Sequence, residues 1–462
     1  MSYASTAIAQ DPRRAHRPTC LLLTNDGIYW PLADYFLQRN LSLSAERAYA
    51  RSISRLMNWT YAKHPDFQAG GARDASLFSS FLNDLLYGTF RENDEDTSGL
   101  RWEARSPDVV KRSAGHIAEF TDWLAYESQG LAVNPNDRPA SVFERMVAAK
   151  AFQRRKTASL LAHTKSAEAA QGLSSMARRV NSPGKPHAML SAPPAFPADK
   201  INELLWVGFQ NERFKNDPRK WKRWNLRDIL ITLLCLYGGA RVSEPMHLWI
   251  DDVVESDTDP LSCRALIHEP EHGKAIWEHP ILGRTAMSRA EYLRQRCGKV
   301  PLTRARGARR SGWKGGLLTC PKRRAMEIIW IDPAAGRLFK ELWEIYIQNE
   351  RPMTDAAPWA FLTKAGLPMG PTAYADSLRR AVEKIGLPSE KYAGTTPHGL
   401  RHRYGQWLND KGVSDKAGQI CLHHANPMSQ QVYRQVTLEQ VASEMAATSA
   451  RINAPALALE AP

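Results

Sequence analysis

The sequence predicts a mainly helical protein in two parts: an N-terminal helical bundle, then a mixed α/β domain with one small β-sheet. Three observations lead there. A chain of 462 residues calls for two or three domains. Four segments between residues 29 and 130 carry apolar side chains at helical spacing. A stretch rich in Ala, Ser, Lys and Arg, then Pro, over 131–197 separates them from a second region where short β candidates sit among helices. The expected layout is a loose leader (1–28), the bundle (29–130), a linker (131–197), the larger domain (198–450) and a tail (451–462).

In the bundle, Trp30 to Arg39 places Leu32, Tyr35 and Phe36 on one face. Ser44 is the expected N-cap of the next helix, which carries Tyr49, Ile53, Leu56 and Trp59. Leu77, Phe78, Phe81, Leu82 and Leu85 mark a third helix. Ser106-Pro107 opens a fourth, with Pro at the first helical position and Val110, Ile117, Phe120 and Leu124 inside. On the second helix Arg47, Arg51 and Arg55 recur every fourth residue, a basic stripe that is either a solvated face or a phosphate-contacting one.

In the larger domain, Leu226 to Tyr237 is apolar nearly all round and reads as a buried helix stopped by Gly238-Gly239. Arg264 to His268 and Met326 to Ile331 are β candidates. Between Tyr292 and Met326 there is no acidic residue and there are eleven Lys or Arg, with Gly307, Gly312, Gly315 and Gly316 interspersed. That composition fits a mobile basic loop or hairpin. Arg304, Arg306, Arg309, Arg310 and Lys314 are its expected contacts to a phosphate backbone.

Lys plus Arg number 62 against 48 Asp plus Glu, a net charge of +14 with pI near 9.5. This balance points to a polyanion, most often nucleic acid. Apolar residues make up 43% and charged ones 24%, which excludes wholesale disorder. The longest apolar stretch, Ile229 to Leu236, is far below the ~18 residues of a membrane span. No secretory signal pattern opens the chain, so a cytoplasmic location is expected. The six cysteines form no CxxC pair, and there is neither a GxxxxGK[ST] loop nor GxGxxG. No cofactor, metal or small-molecule substrate is therefore expected.

Three places concentrate chemistry. In Gly238-Gly-Ala-Arg241-Val-Ser243-Glu244 the buried helix ends, Arg241 emerges, and Ser243 is the expected cap of the next short helix. In Thr396-Pro397-His398-Gly-Leu-Arg401-His402, Thr396 can cap and His398 and Arg401 share the first turns of a helix. A guanidinium and an imidazole at a helix N-terminus suit a phosphate. The third place, Cys421-Leu-His423-His424, is followed by the turn Asn426-Pro427 and by Tyr433. Three soft ligands crowded into four residues rarely converge on one ion.

Taken together these residues resemble the catalytic pattern of the tyrosine recombinases, the phage integrase family: Arg in Gly-x-Arg-x-Ser-Glu, His-x-x-Arg-His, Leu-Gly-His, and a Tyr nine residues later. Arg241, His398, Arg401, His424 and Tyr433 fall in those roles; Arg401 to His424 spans 23 residues and His424 to Tyr433 nine. The motifs cover roughly 198–450, and 29–130 is similar, more loosely, to the family's core-binding domain. There are two departures. The usual Gly before the second His is His423. The hairpin that carries the family's Lys is split by the basic insert, so Lys322 is preferred for that role, with Lys274 next and Lys314 third.

The resemblance implies a site-specific recombinase or integrase from a mobile element, acting on double-stranded DNA as a homotetramer on paired sites and nucleoid-associated when on DNA. Tyr433 would attack the phosphodiester, Arg241 and Arg401 hold its oxygens, His398 take the phenol proton and His424 position the phosphate. The Lys would protonate the leaving 5′ oxygen. The competing readings are a type IB topoisomerase-like nicking and resealing enzyme and a DNA-binding protein that has lost catalysis. A metal-dependent nuclease built on Asp251, Asp252 and Glu255 is a further one.

Overall fold

The computed structural model describes residues 3–127 and 193–426, apart from 12, 14–17, 66–73, 91–94, 97, 280–282 and 354–357, together with 137–139, 142, 145–146, 150, 176–178 and 445. The chain divides into two compact units, Met1–Ala188 and Met189–Pro462.

The first unit begins with a sheet. β1 (Ala4–Gln10) and β2 (Pro18–Thr24) pair antiparallel, Ala4 opposite Thr24 and Gln10 opposite Pro18, and β3 (Gly27–Ile28) adds to β2. The expected loose leader is therefore corrected: these strands belong to the fold. The reason is the apolar run in β2, whose Cys20 and Leu22 enter the same core as Leu32, Tyr35, Phe36 and Ile53. The sheet is also tied down by polar contacts. The buried Glu46 carboxylate accepts from the Thr19 hydroxyl (2.7 Å) and the Cys20 N–H (3.0 Å), and Asn58 bonds both polar backbone atoms of Ala4.

The helices are α1 (Trp30–Arg39), α2 (Leu43–Lys63), α3 (Asp74–Tyr87) and α4 (Pro107–Glu127). Each of the four expected helices is present, and Pro107 opens α4. The cap of α2 moves: Ser42, not Ser44, accepts the Ala45 N–H, because Ser44 already lies in the first turn. Phe78, Phe81, Leu85, Ile117 and Phe120 close the bundle core. Of the expected linker, β4 (Asp137–Pro139) pairs antiparallel with β5 (Met176–Arg178).

The second unit is organised around α5 (Leu226–Leu236). Asn225 caps it, and every residue but Arg227 is buried. Beside it lies an antiparallel sheet in the order β10-β7-β6, made of β6 (Val253–Glu255), β7 (Cys263–His268) and β10 (Ala325–Glu327). The strand expected over Met326–Ile331 is shorter. After Glu327 the Ile328 N–H still reaches the Ala265 carbonyl, but the Ile331 N–H goes to the carbonyl of Tyr237 at the end of α5, so the chain peels away from β7. Between β7 and β10 come a hairpin, β8 (Lys274–His279) with β9 (Gly283–Ser288), and α6 (Arg289–Cys297). The unit continues with α7 (Pro333–Ile345), α8 (Pro371–Lys384), α9 (Pro397–Asp410) and α10 (Asp415–Cys421).

The acid-free segment that follows α6 is packed rather than loose. Leu302 and Ser311 are buried. The Ser311 hydroxyl donates to the Ser243 carbonyl (2.9 Å), its N–H to the Leu302 carbonyl (3.0 Å), and Trp313 meets His247 edge to face. Apolar and hydroxyl side chains anchor the segment, and its cations stay outside: Arg304, Arg306, Arg309 and Lys314 are exposed and Arg310 is half-buried.

Candidate active site

Two glycines and a tyrosine set the turn that carries Arg241. α5 ends at Tyr237, and Gly239 takes a left-handed φ of +66°. A Cβ there would sit 2.6 Å from the Tyr404 ring of α9, so the residue is required by conformation and by space. The Tyr404 hydroxyl in turn donates to the Ile329 carbonyl (2.8 Å), and Leu400, Tyr404 and Leu408 form the buried face of α9 expected from their spacing.

Glu244 organises the two arginines. Its carboxylate accepts from the Arg241 N–H and from Arg241 Nη1, both at 2.7 Å, and lies 3.9 Å from Arg401 Nη1. The expected role of Ser243 as a cap is therefore corrected. Glu244 itself holds the N-cap position of the short helical turn Pro245–His247, which has no side-chain cap. Thr396 likewise occupies the N-cap position of α9 without a side-chain bond, and Pro397 stands in its first turn.

Arg401 is nearly fully buried (1% exposed). Its guanidinium donates to the carbonyls of Gly239 and Leu422 and, from Nη2, to Nε2 of His424 at 3.0 Å. An arginine has only donors, so the His424 Nε2 is the lone-pair nitrogen and the ring is neutral. Burial, then the charges of Arg401 and Arg241, push the His424 pKa down to about 3. Arg241 is more open, with 21% of its side chain exposed.

His398 stands exposed at the start of α9, its ring edge-on to His402 at 4.2 Å. Desolvation against its surroundings and the charges of Arg401, Lys314, Lys391 and Arg241 lower its pKa, leaving a neutral imidazole at pH 7. Lys314 thus acts on His398. Lys322, the lysine preferred from sequence, is exposed in the turn that leads into β10, and Lys274 opens β8; neither is among the leading charges on His398. Lys314, ranked third from sequence, is the one of the three whose charge is among the leading ones on His398. The signal that could have found it was the Gly-x-Lys-Gly-Gly run, in which a Cβ on Gly316 would sit 3.5 Å from the His423 Cβ.

Asp252 is not free for metal. It is buried with Arg289 as ion partner, and among the described residues no cluster of His, Cys, Asp or Glu could hold an ion. Tyr433 lies outside the described residues, as does the tail. A cavity of about 710 Å³ between α5 and α8 is lined by none of Arg241, His398, Arg401 or His424. The convergent arginines and histidines therefore do not share it. In the first unit, Arg51 is exposed and Arg47 and Arg55 are half-buried. Burial, then the charges of Arg105 and Arg51, lower the Arg55 pKa, so three cations are held close together.

Comparison with known proteins matches residues 211–440 to the phage integrase family. The tyrosine recombinase XerC of Lactobacillus leichmannii is 29% identical over 112 residues, which is 23% of this chain and 36% of that protein. The chain thus spans about a third of that relative's length. Among solved structures, the XerH recombinase bound to palindromic difH aligns at 13% identity and TM-score 0.47, over 88% of this chain and 80% of that one. The Tn1549 transposon integrase with transposon right-end DNA aligns at 13% and 0.46, over 91% and 98%. A lambda integrase dimer on a core site aligns at 13% and 0.40, over 88% and 76%. The chain carries a phage integrase family domain across residues 211–440.

Proposed function

We propose that this chain is a site-specific DNA recombinase, an integrase of a mobile element, that breaks and rejoins strands through a 3′-phosphotyrosine at Tyr433. The observation that carries this reading is that Glu244 lies between Arg241 and Arg401, that Arg401 holds His424, and that His398 stands exposed on the helix of Arg401. A phosphodiester under attack spreads negative charge over its non-bridging oxygens, and a guanidinium fork held in place by a carboxylate, as Arg241 is by Glu244, needs little reorganisation to meet it.

In this reading Arg241 clamps the phosphate from the open side, and Arg401 fixes the turn that carries His424. His398, neutral at pH 7, takes the Tyr433 proton as the oxygen attacks. The P–O5′ bond breaks as the Tyr–P bond forms, and a lysine supplies the proton to the departing 5′ oxygen. The bond energy is kept in the phosphotyrosine, so rejoining needs no ATP. The first unit serves as the core-binding domain, gripping the duplex with Arg47, Arg51, Arg55 and Arg105. Arg304, Arg306, Arg309, Arg310 and Lys314 add contacts from the second. Recombination takes a homotetramer on paired sites, in the cytoplasm with the nucleoid.

The test is trapping. A duplex drawn by rounds of selection from a random library with the full-length chain, then nicked beside the cleavage position, should yield an SDS-stable, protease-sensitive complex in EDTA without ATP. Tyr433→Phe should bind the same duplex and give no covalent band. A Tyr433→Phe variant that still traps DNA would overturn the assignment.

A further inference from the structure

His423 stands where a glycine would be at ease. Its φ is +50°, in the left-handed region, and the side chain is fully buried. A histidine tolerates this conformation better than most residues but gains nothing locally from it. Its Nε2–H donates to the Glu327 carbonyl of β10 at 2.8 Å, which fixes the neutral tautomer. Nδ1 is left buried without a partner among the described residues. The His423 carbonyl accepts the Leu317 N–H at 3.1 Å, and Gly316 packs against its Cβ. One residue therefore joins β10, the basic insert and the turn whose next residue is His424.

We infer that His423 is a positioning residue that locks the Lys314–Leu317 segment beside the catalytic turn, so that Lys314 is held where it can protonate the leaving 5′ oxygen. The geometry carries this. Leu317 is three residues from Lys314, and its backbone bond to His423 ties the segment to a turn that the ring-to-Glu327 bond ties in turn to β10. Gly312 accepts from the ring of buried His247 at 3.4 Å and Ser311 is pinned to Ser243, so the segment is held on both sides of Lys314. A glycine at 423 would keep the turn and the backbone bond but release the turn from β10. The inference rests on the recombinase reading above. In that step the Lys314 ammonium gives its proton to O5′ as P–O5′ breaks, while the phenol proton goes to His398.

The test compares full-length wild type, Lys314→Ala and His423→Gly on the selected nicked duplex, with either oxygen or sulfur at the 5′-bridging position. Sulfur leaves without a proton. Lys314→Ala should slow covalent-complex formation by roughly 10²-fold or more on the oxygen duplex. His423→Gly should slow it by about 10-fold or more, at unchanged DNA affinity. Both should return to within about threefold of wild type on the sulfur duplex. The double variant should be no slower than Lys314→Ala alone. His423→Asn accepts the left-handed φ and keeps an N–H donor, so it should recover part of the rate on oxygen. A His423→Gly variant that matches wild type on oxygen, or whose defect persists on sulfur, would overturn the inference. Wild type that traps neither duplex would instead sink the recombinase reading.

Discussion

Arg401 Nη2 donates to His424 Nε2 across 3.0 Å, joining α9 to the turn after α10 inside the protein rather than at its surface. Arg241, only 21% exposed, is nonetheless the more open of the two arginines. The same residue type therefore has two tasks, and substitutions should separate them.

Arg401→Ala strips the carbonyls of Gly239 and Leu422 and leaves Glu244 without one of its two cations. Urea melts should show a loss of roughly 3–5 kcal/mol, typical of breaking a buried pair from one side. Arg241→Ala should cost under about 1 kcal/mol of stability yet slow covalent-complex formation by roughly 10²–10³-fold, as for a lost transition-state donor. Equal stability losses in the two variants would contradict this division.

Acid should unfold the second unit early. Burial pushes the pKa values of His268 and His424 down to about 3 and those of His247 and His402 to about 4. The unfolded value is ~6.5. With the folded values depressed, their contribution is complete above pH 6.5 and is lost as pH falls from there towards 3–4. Each histidine adds up to about 1.4 kcal/mol per pH unit in that window. Melting temperature should hold steady from pH 8 to 7 and fall clearly by pH 5; a flat profile would mean that the rings are protonated in the fold.

Salt dependence should report the insert without dismantling it. Leu302 and Ser311 anchor the segment, so deleting it would expose core, whereas Arg306, Arg309 and Lys314 project outward. The triple alanine variant should keep its melting temperature and reduce the slope of log K against log salt by roughly 3, about 0.9 per phosphate contact. An unchanged slope would remove these residues from the DNA interface.

Arg55 should trade stability for affinity. Its half-buried guanidinium sits near Arg51 and Arg105, and their charges lower its pKa. Arg55→Ala should leave the fold of the first unit as stable or slightly more so, while duplex affinity falls and the salt slope shrinks by about 1. A loss of stability with affinity intact would make the cluster structural.

Helices were legible because their signals are local. Trp30–Arg39 and Pro107–Glu127 were readable from apolar spacing and a proline at the first turn, and the stop at Gly238-Gly239 from the glycines alone. The N-terminal strands were missed because their cover is remote: Cys20 and Leu22 are buried by helices that come later in the chain. At the site, Arg241, His398, Arg401 and His424 were visible as motifs. The part played by Glu244 was not, since a carboxylate three residues from an arginine is common on any turn. The influence of Lys314 on His398 is not legible from sequence distance, because it comes through a loop that folds back on itself. His423 was flagged only as a departure; its bond to Glu327 spans 96 residues and has no sequence signature.

A reaction that depends on one phenol must deal with the others nearby. The Tyr404 ring touches Gly239, whose carbonyl accepts from Arg401, so a second phenol packs against the turn that carries Arg241. Its proton is committed to the Ile329 carbonyl, and burial raises its pKa well above that of a free phenol. In the proposed reaction, chemoselectivity would then be built in from beneath: the decoy nucleophile is masked by the same packing that shapes the arginine turn. Opening that packing, by moving Ile329 or enlarging Gly239, would risk misdirected attachment of DNA as well as lost activity.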